Sequence, residues 1–244
     1  MSVAAAVRRR RVVSRPVGVL LALGVLVASN VLVNRVLPEW IYALWNPAVA
    51  GVLVALALWC GVSWDDLGLN RRTLRRGVLV GLVGVASVAA FYALVLAVPG
   101  WRMAFDDERA TSLGLEAMLW QALVRIPVGT VLLEEVAFRG VLPALLGGGR
   151  RWRWWPVLAS STLFGLWHVL PSMRLAGDNA AVREVFGPGS GWVVPVFAVI
   201  TTTVAGVMLC GWRHAGRGLL PPMMVHLATN SGGVVLAWLL AHGR

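Results

Sequence analysis

An all-α bundle of transmembrane helices, about seven spans with room for an eighth helix, is the fold class this sequence predicts. Three observations carry it. Hydrophobic residues fill 58% of the 244 positions and charged residues only 14%, whereas a soluble domain carries about 25% charged residues. Too little charge is available to cover a water-facing surface. Charge-poor runs of about 20 residues, the length a bilayer needs, recur along the whole chain. Short arginine-bearing segments separate those runs, as connections between spans do. A single integral membrane domain, 1–244, follows.

The expected spans are 16–34, 41–61, 77–98, 115–142, 155–170, 191–212 and 219–241. The first follows "RRRR" but is longer than a signal-peptide core of about 7–15 residues, so it reads as an uncleaved helix. Between the second and third, "SWDDLGLNRRTLRRG" is a polar connection whose apolar and arginine positions suit a short interfacial helix. Gly77, Gly81 and Gly84 put small residues on one side of the third span, where a neighbouring helix can approach closely. The acidic stretch "FDDER" reads as a solvated loop. Trp40, Trp45, Trp64, Trp101, Trp152, Trp154, Trp155 and Trp192 fall at span ends, where aromatic anchors sit.

Charge orients the bundle. The net charge is +11 and every basic side chain is arginine. Clustering between apolar runs excludes a nucleic-acid face and points to the lipid bilayer as the partner. Fourteen arginines lie before the first span and after the second, fourth and sixth; six lie on the other side, mixed with acids. The positive-inside rule then places the N-terminus in the cytoplasm and the C-terminus outside. The lysine-free basicity and the many alanines and valines suggest a GC-rich genome. Cys60 and Cys210 have no CxxC spacing and read as small packing residues.

Against this background the ionisable residues inside spans stand out, because each charged side chain costs roughly 2.5–3.5 kcal/mol at a helix centre. Arg125 lies near a helix end and can snorkel. Glu135 and Arg139 are four apart and can pair on one face. Glu134 points about 100° away, which leaves it without a partner on its own helix, as a general base requires. "FGLWH" stacks Phe164 and His168 one turn apart, the ring walling a site into which the imidazole points. "HLATN" stacks His226 and Asn230, two donors that can aim at an oxyanion. The constellation pairs Glu134 and His168 as water activators with His226 and Asn230 as oxyanion stabilisers, supported by Glu135, Arg139 and Phe164. Hydrolysis of an acyl bond, most plausibly a peptide, is the implied chemistry. A divalent metal such as zinc on Glu134, His168 and His226 is the other organiser. The spacing is not HExxH, so no metal ligand is assigned and the cofactor stays open.

"EEVAFRG", "FGLWH" and "HLATN", in this order on successive segments, resemble the CPBP family of intramembrane proteases, also called Abi. The family includes the eukaryotic CAAX prenyl protease 2. Its pattern of EExxxR, FxxxH and HxxxN is matched without departure, and "DLGL", 66–69, is similar to the family's connection ahead of its core. The motif-bearing core is roughly 115–241. The resemblance implies a polar intramembrane cavity open toward the cytoplasm, and endopeptidase action on a membrane-associated or lipidated protein. It implies Glu134 as base beside His168, with His226 and Asn230 at the oxyanion. The family is commonly labelled metalloprotease, and a metal-independent glutamate mechanism is also proposed for it. A non-proteolytic scaffold or immunity protein and a proton-relay transporter are the rival readings.

One expectation conflicts internally. At 1.5 Å per residue, His226 lies about 14 Å from Arg217, His168 about 22 Å from Arg153 and Glu134 about 24 Å from Arg150. Groups that meet should share a depth.

Overall fold

The computed structural model describes residues 12–106, 108–173 and 192–243, without the side chains of Glu39, Glu108 and Arg109. The sixth expected span begins just outside these residues, at Gly191, as do Arg8–Arg11, Arg174, Arg183 and Arg244. Among the described residues there is no strand, and seven long helices form the bundle. They are α1 (Arg15–Arg35), α2 (Tyr42–Trp59), α3 (Leu74–Ala97), α4 (115–145), α5 (Trp154–Trp167), α6 (Val193–Gly216) and α7 (Leu220–His242). All seven expected spans correspond to a helix.

Five of the seven, α1, α2, α3, α6 and α7, are long and apolar enough to cross a membrane. The other two carry the first motifs and depart from the regular spans expected of them. Helix α5 runs for only 14 residues, about 21 Å at 1.5 Å per residue. It breaks at His168 before one further turn, Val169–Ser172. Helix α4 alternates ordinary turns with three wide ones, closed by Ile126 N–H to Gln121 O, Leu132 N–H to Pro127 O and Leu142 N–H to Ala137 O. Such i→i+5 turns are rare and concentrate at functional sites. Proline explains part of the widening, because Pro127 and Pro143 each lack the N–H that a regular ladder would use. Backbone carbonyls cannot stay unpaired in hydrocarbon, and side chains from neighbouring helices take them up. Ser160 Oγ donates to Phe138 O and Asn46 Nδ2 donates to Gly129 O.

Helix α4 is the hub. Every residue from Leu133 to Leu145 is buried, packed against Ala22, Leu26, Leu53 and Ala57 of α1 and α2 and Phe164 of α5. The outer girdle is apolar and exposed, with Leu20 at 69%, Val83 at 61% and Met208 at 63% of their surface open. An apolar core inside an apolar rim is how a bundle meets lipid rather than water.

The small-residue side of α3 packs on α7 as expected. A Cβ at Gly81 or Gly84 would sit 2.3 Å from Met224 Sδ or Val225 Cγ2. Tryptophan behaves as predicted at most ends: Trp40, Trp64, Trp101, Trp154, Trp155 and Trp192 are exposed. Trp45 is a correction, since it is partly buried and donates Nε1 to Ser29 Oγ at 3.0 Å. It links α2 to α1. The expected interfacial helix is one short turn, Trp64–Leu67, capped by Ser63 Oγ accepting from Asp66 N–H at 3.1 Å. Both cysteines are buried.

The groups of unequal expected depth do meet, with His226 Nε2 3.7 Å from Glu134 Oε2. Gly68, left-handed at φ 78°, closes the Trp64–Leu67 turn, and Gly68 O accepts from Leu219 N–H at 3.0 Å. Leu67 and Leu219 are 1% and 2% exposed. The start of α7 therefore packs against the "DLGL" connection, which Arg213 also ties to Gly149 of the 146–153 connection. A Cβ on Gly140, the last residue of "EEVAFRG", would meet Leu67 O at 3.2 Å. The connection is thus seated on the motif helix itself, and His226 needs fewer turns than Glu134 to reach a common depth.

Candidate active site

Glu134 and Glu135 occupy an ordinary turn of α4, Leu132–Glu135, between two wide ones. His226 and Asn230 come from the first turns of α7, and His168 from the break at the end of α5. Arg139 follows one turn after Glu135 and is completely buried.

The ion pair expected within α4 forms: Arg139 Nη1 lies 3.1 Å from Glu135 Oε1. The guanidinium also stacks over Phe164, 3.9 Å from its centroid, a cation–π contact that strengthens where water is excluded. Phe164 is 2% exposed and meets the His168 ring edge-on at 4.6 Å between centroids. It is the aromatic wall the sequence implies.

Glu134 draws its partners from other helices. His226 Nδ1 donates to Glu135 Oε1 at 2.7 Å, while its Nε2 lies 3.7 Å from Glu134 Oε2. Adjacent residues diverge by about 100° on a helix of about 2.3 Å radius, so a ring on the bisector is flanked by both. Trp167 supplies a further partner, donating its indole Nε1–H to Glu134 Oε1 at 3.0 Å. The second oxygen, Glu134 Oε2, is buried and accepts no hydrogen bond.

His168 and His226 have their ring nitrogens sorted by these partners. His168 Nδ1 donates to Phe164 O at 2.8 Å, which leaves Nε2 as the acceptor. His226, with Nδ1–H on Glu135, accepts at Nε2 from Asn230 Nδ2 at 3.1 Å. In that neutral form it has no free donor, whereas Asn230 keeps a second N–H.

Glu134, His168, Trp167 and Asn230 line one cavity of about 1390 Å³, above the roughly 300–1,000 Å³ of small-molecule pockets. Its polar walls include Asn46, Gln121, Arg125 and Thr130. Arg125 does not snorkel to the surface but bonds Gln121 Oε1 at 2.9 Å and lies over Tyr42. The cavity extends to the face where α1 and α7 end, with Pro38, Phe105 and Met173 among its lining residues. This is the face opposite the N-terminus.

Among the described residues no three His, Cys, Asp or Glu side chains gather as a metal site. The candidate set of Glu134, His168 and His226 does not fit one: His226 has committed both nitrogens, Nδ1 to Glu135 and Nε2 to Asn230.

Sequence reasoning missed Trp167, whose signal was its position in mid-span next to His168 rather than at an interface. It also missed Asn30, which donates to Trp167 O at 3.0 Å and steadies the break. Neither sits at motif spacing.

Helices of membrane-crossing length, grouped around a buried cluster of two carboxylates, an arginine and an imidazole, define an integral membrane protein with polar chemistry built into its interior. Residues 116–232, just under half of the chain, match the family described as type II CAAX prenyl endopeptidase, Rce1-like. The motif-bearing stretch is thus similar to CAAX-type intramembrane endopeptidases, as the sequence resemblance anticipates. The matched stretch holds all three motifs and leaves α1 to α3 outside it. No curated protein and no solved structure matches the chain.

Proposed function

We propose that this protein hydrolyses a peptide bond of a membrane-associated or lipidated protein, using a water activated by Glu134 and His168. It does so in a bacterial inner membrane with its N-terminus in the cytoplasm. The observation that carries the reading is Glu134 Oε2, a buried carboxylate oxygen with no hydrogen-bond partner, on the wall of a cavity it shares with His168 and Asn230.

The cavity admits water and a peptide. Trp167 holds one oxygen of Glu134 and leaves the other without a hydrogen bond, available to take a proton from the reacting water. His168 Nε2, fixed as an acceptor, orients the same water from across the cavity. The proton taken by Glu134 passes to the leaving amine as the tetrahedral intermediate collapses, so the carboxylate acts as base and then as acid. Asn230 supplies an N–H to the oxyanion. His226 positions that amide and ties it to the Glu135–Arg139 pair, a share of the oxyanion work different from the direct donation the sequence suggests.

The test uses a membrane-protein substrate identified by loss of its fragment in a deletion strain, assayed with purified protein in liposomes. Glu134→Gln and His168→Ala are each expected to lower cleavage by about 10²–10⁴-fold while insertion and the unfolding midpoint are kept. Full activity in either variant rejects these roles. A partner-binding phenotype that survives Glu134→Gln without cleavage supports the scaffold reading instead, and pH-driven flux without cleavage supports a proton relay.

A further inference from the structure

A second cavity, of about 670 Å³, shares no lining residue with the first. It is framed by the Trp64–Leu67 turn, the start of α3, the 146–153 connection and the end of α6. Arg76, Arg150, Arg151, Arg213 and Arg217 line it, against only Asp65 and Asp66. Five arginines less two aspartates leave three positive charges over.

Both carboxylates are already engaged. Asp65 accepts from Asn70 Nδ2 and lies 3.7 Å from Arg150 Nη1. Asp66 Oδ2 accepts from Ser63 Oγ at 2.8 Å. Arg151 and Arg217 carry no side-chain hydrogen bond or ion pair among the described residues. Arg213 is 8% exposed and gives Nη1 to Gly149 O and Nη2 to Asp66 O, both neutral carbonyls. Its Nε is buried without a hydrogen-bond partner, although buried charges are normally paired. Residues 1–11, ahead of α1, hold four arginines and no acid, so that segment does not bring the missing anion. Arg217 adds a backbone observation. Among the described residues it is the only non-glycine with a left-handed φ, 59°, and it ends α6. Glycine usually takes that position, and an arginine kept there against its backbone preference points to a use for its side chain.

We infer that this pocket binds the headgroup phosphate of an anionic phospholipid. Phosphate is the chemistry that the arginines select, because a guanidinium offers paired donors to phosphate oxygens. The surroundings select lipid as its carrier. Trp152 meets His214 of the pocket edge-on at 5.7 Å between centroids and Trp154 at 5.1 Å. Trp64, Trp154 and Trp155, on the same connections, are exposed. Tryptophans of this kind mark the headgroup level, and basic pockets between transmembrane helices take lipid headgroups there. A bound headgroup would join connections that Arg213 already ties together, and so stabilise the folded chain by linkage. The site is independent of the proteolytic reading.

The test follows the unfolding midpoint of the full-length protein, purified in a neutral detergent and washed free of lipid. Phosphatidylglycerol is expected to raise the midpoint saturably, and phosphatidylcholine with the same acyl chains to leave it unchanged. An equal rise with the two lipids, or none with either, overturns the inference. Arg217→Gly removes the guanidinium and installs the residue that adopts a positive φ freely, so the midpoint without lipid should not fall. Its apparent affinity for phosphatidylglycerol should drop about fivefold, and that of Arg151→Gln with Arg217→Gly roughly 25-fold, one arginine beside anionic lipid being lost at each step. Arg75→Gln, on the same connection but outside the pocket, should leave the affinity unchanged. A loss from Arg75→Gln equal to that from Arg217→Gly means diffuse attraction to a basic surface and overturns the site.

Two further ligands separate the sources of the anion. Glycerol 1-phosphate that raises the midpoint as far as phosphatidylglycerol does, with no further rise when lipid follows, assigns the pocket to a soluble phosphate and overturns the lipid assignment. A rise with polyglutamate and none with phosphatidylglycerol assigns it to an acidic protein segment, with the same consequence.

Discussion

His226 Nδ1 donates to Glu135 Oε1 across 2.7 Å, and that one bond ties α7 to the ion pair inside α4. Glu135 therefore serves two donors at once, the Arg139 guanidinium at 3.1 Å and the imidazole N–H. Both members of the ion pair are essentially unexposed, at 0% for Glu135 and 0% for Arg139. Breaking such a pair on one side costs about 3–5 kcal/mol because the other charge is left buried alone. Glu135→Ala is thus expected to destabilise the bundle by about that amount, read as a lowered unfolding midpoint in detergent. Glu135→Met together with Arg139→Met removes both charges and should cost less than the sum of the single changes. An additive double variant would mean that the two side chains do not support each other.

Trp167 is expected to act through Glu134 rather than on substrate. Its indole N–H is the hydrogen-bond donor to Glu134 Oε1, at 3.0 Å, and a hydrogen bond to a charged group contributes about 1.5–3 kcal/mol. Trp167→Phe keeps the edge-on packing against Phe138 but frees the carboxylate to rotate. We expect kcat to fall by about tenfold or more, consistent with that energy, with KM little changed and the pH profile of cleavage displaced. Trp167→His, which can restore a ring N–H, should recover part of the loss. An unchanged pH profile would make Trp167 a packing residue only.

Much of the site was legible because lipid makes polar residues conspicuous. In a charge-poor sequence Glu134, Glu135, Arg139, His168, His226 and Asn230 draw notice at once, and one-turn spacing on each helix selects a facing side. The pair Glu135–Arg139 and the wall at Phe164 follow from that spacing and are found. The bridging position of His226 was not legible, because it depends on the relative rotation of α4 and α7. The wide turns of α4 were hidden for a related reason: Pro127 and Pro143 announce a disturbance, but whether a helix kinks or widens depends on acceptors such as Ser160 and Asn46 on other helices. The cavity also needed three dimensions, since its lining joins residues from α1 to α5 and from α7.

The seam between α3 and α7 carries the remaining prediction, because it sets where His226 stands. A Cβ on residue 84 would fall 2.3 Å from Val225 Cγ2, too close for any real contact, and Val225 immediately precedes His226. Overpacking of this kind costs about 1–3 kcal/mol when neighbours must shift. Here the shift displaces the helix that delivers the imidazole and Asn230. Gly84→Ala is therefore expected to lower both the unfolding midpoint and the rate of cleavage, and Gly84→Leu to prevent assembly altogether. Trimming the obstruction distinguishes sterics from a loss of helix flexibility. With Val225→Ala in the same chain, the space claimed by the new methyl group is vacated, and stability and activity should both return toward the original. A Gly84→Ala defect that Val225→Ala leaves unrelieved would show that the close approach of α3 to α7 is not what positions His226.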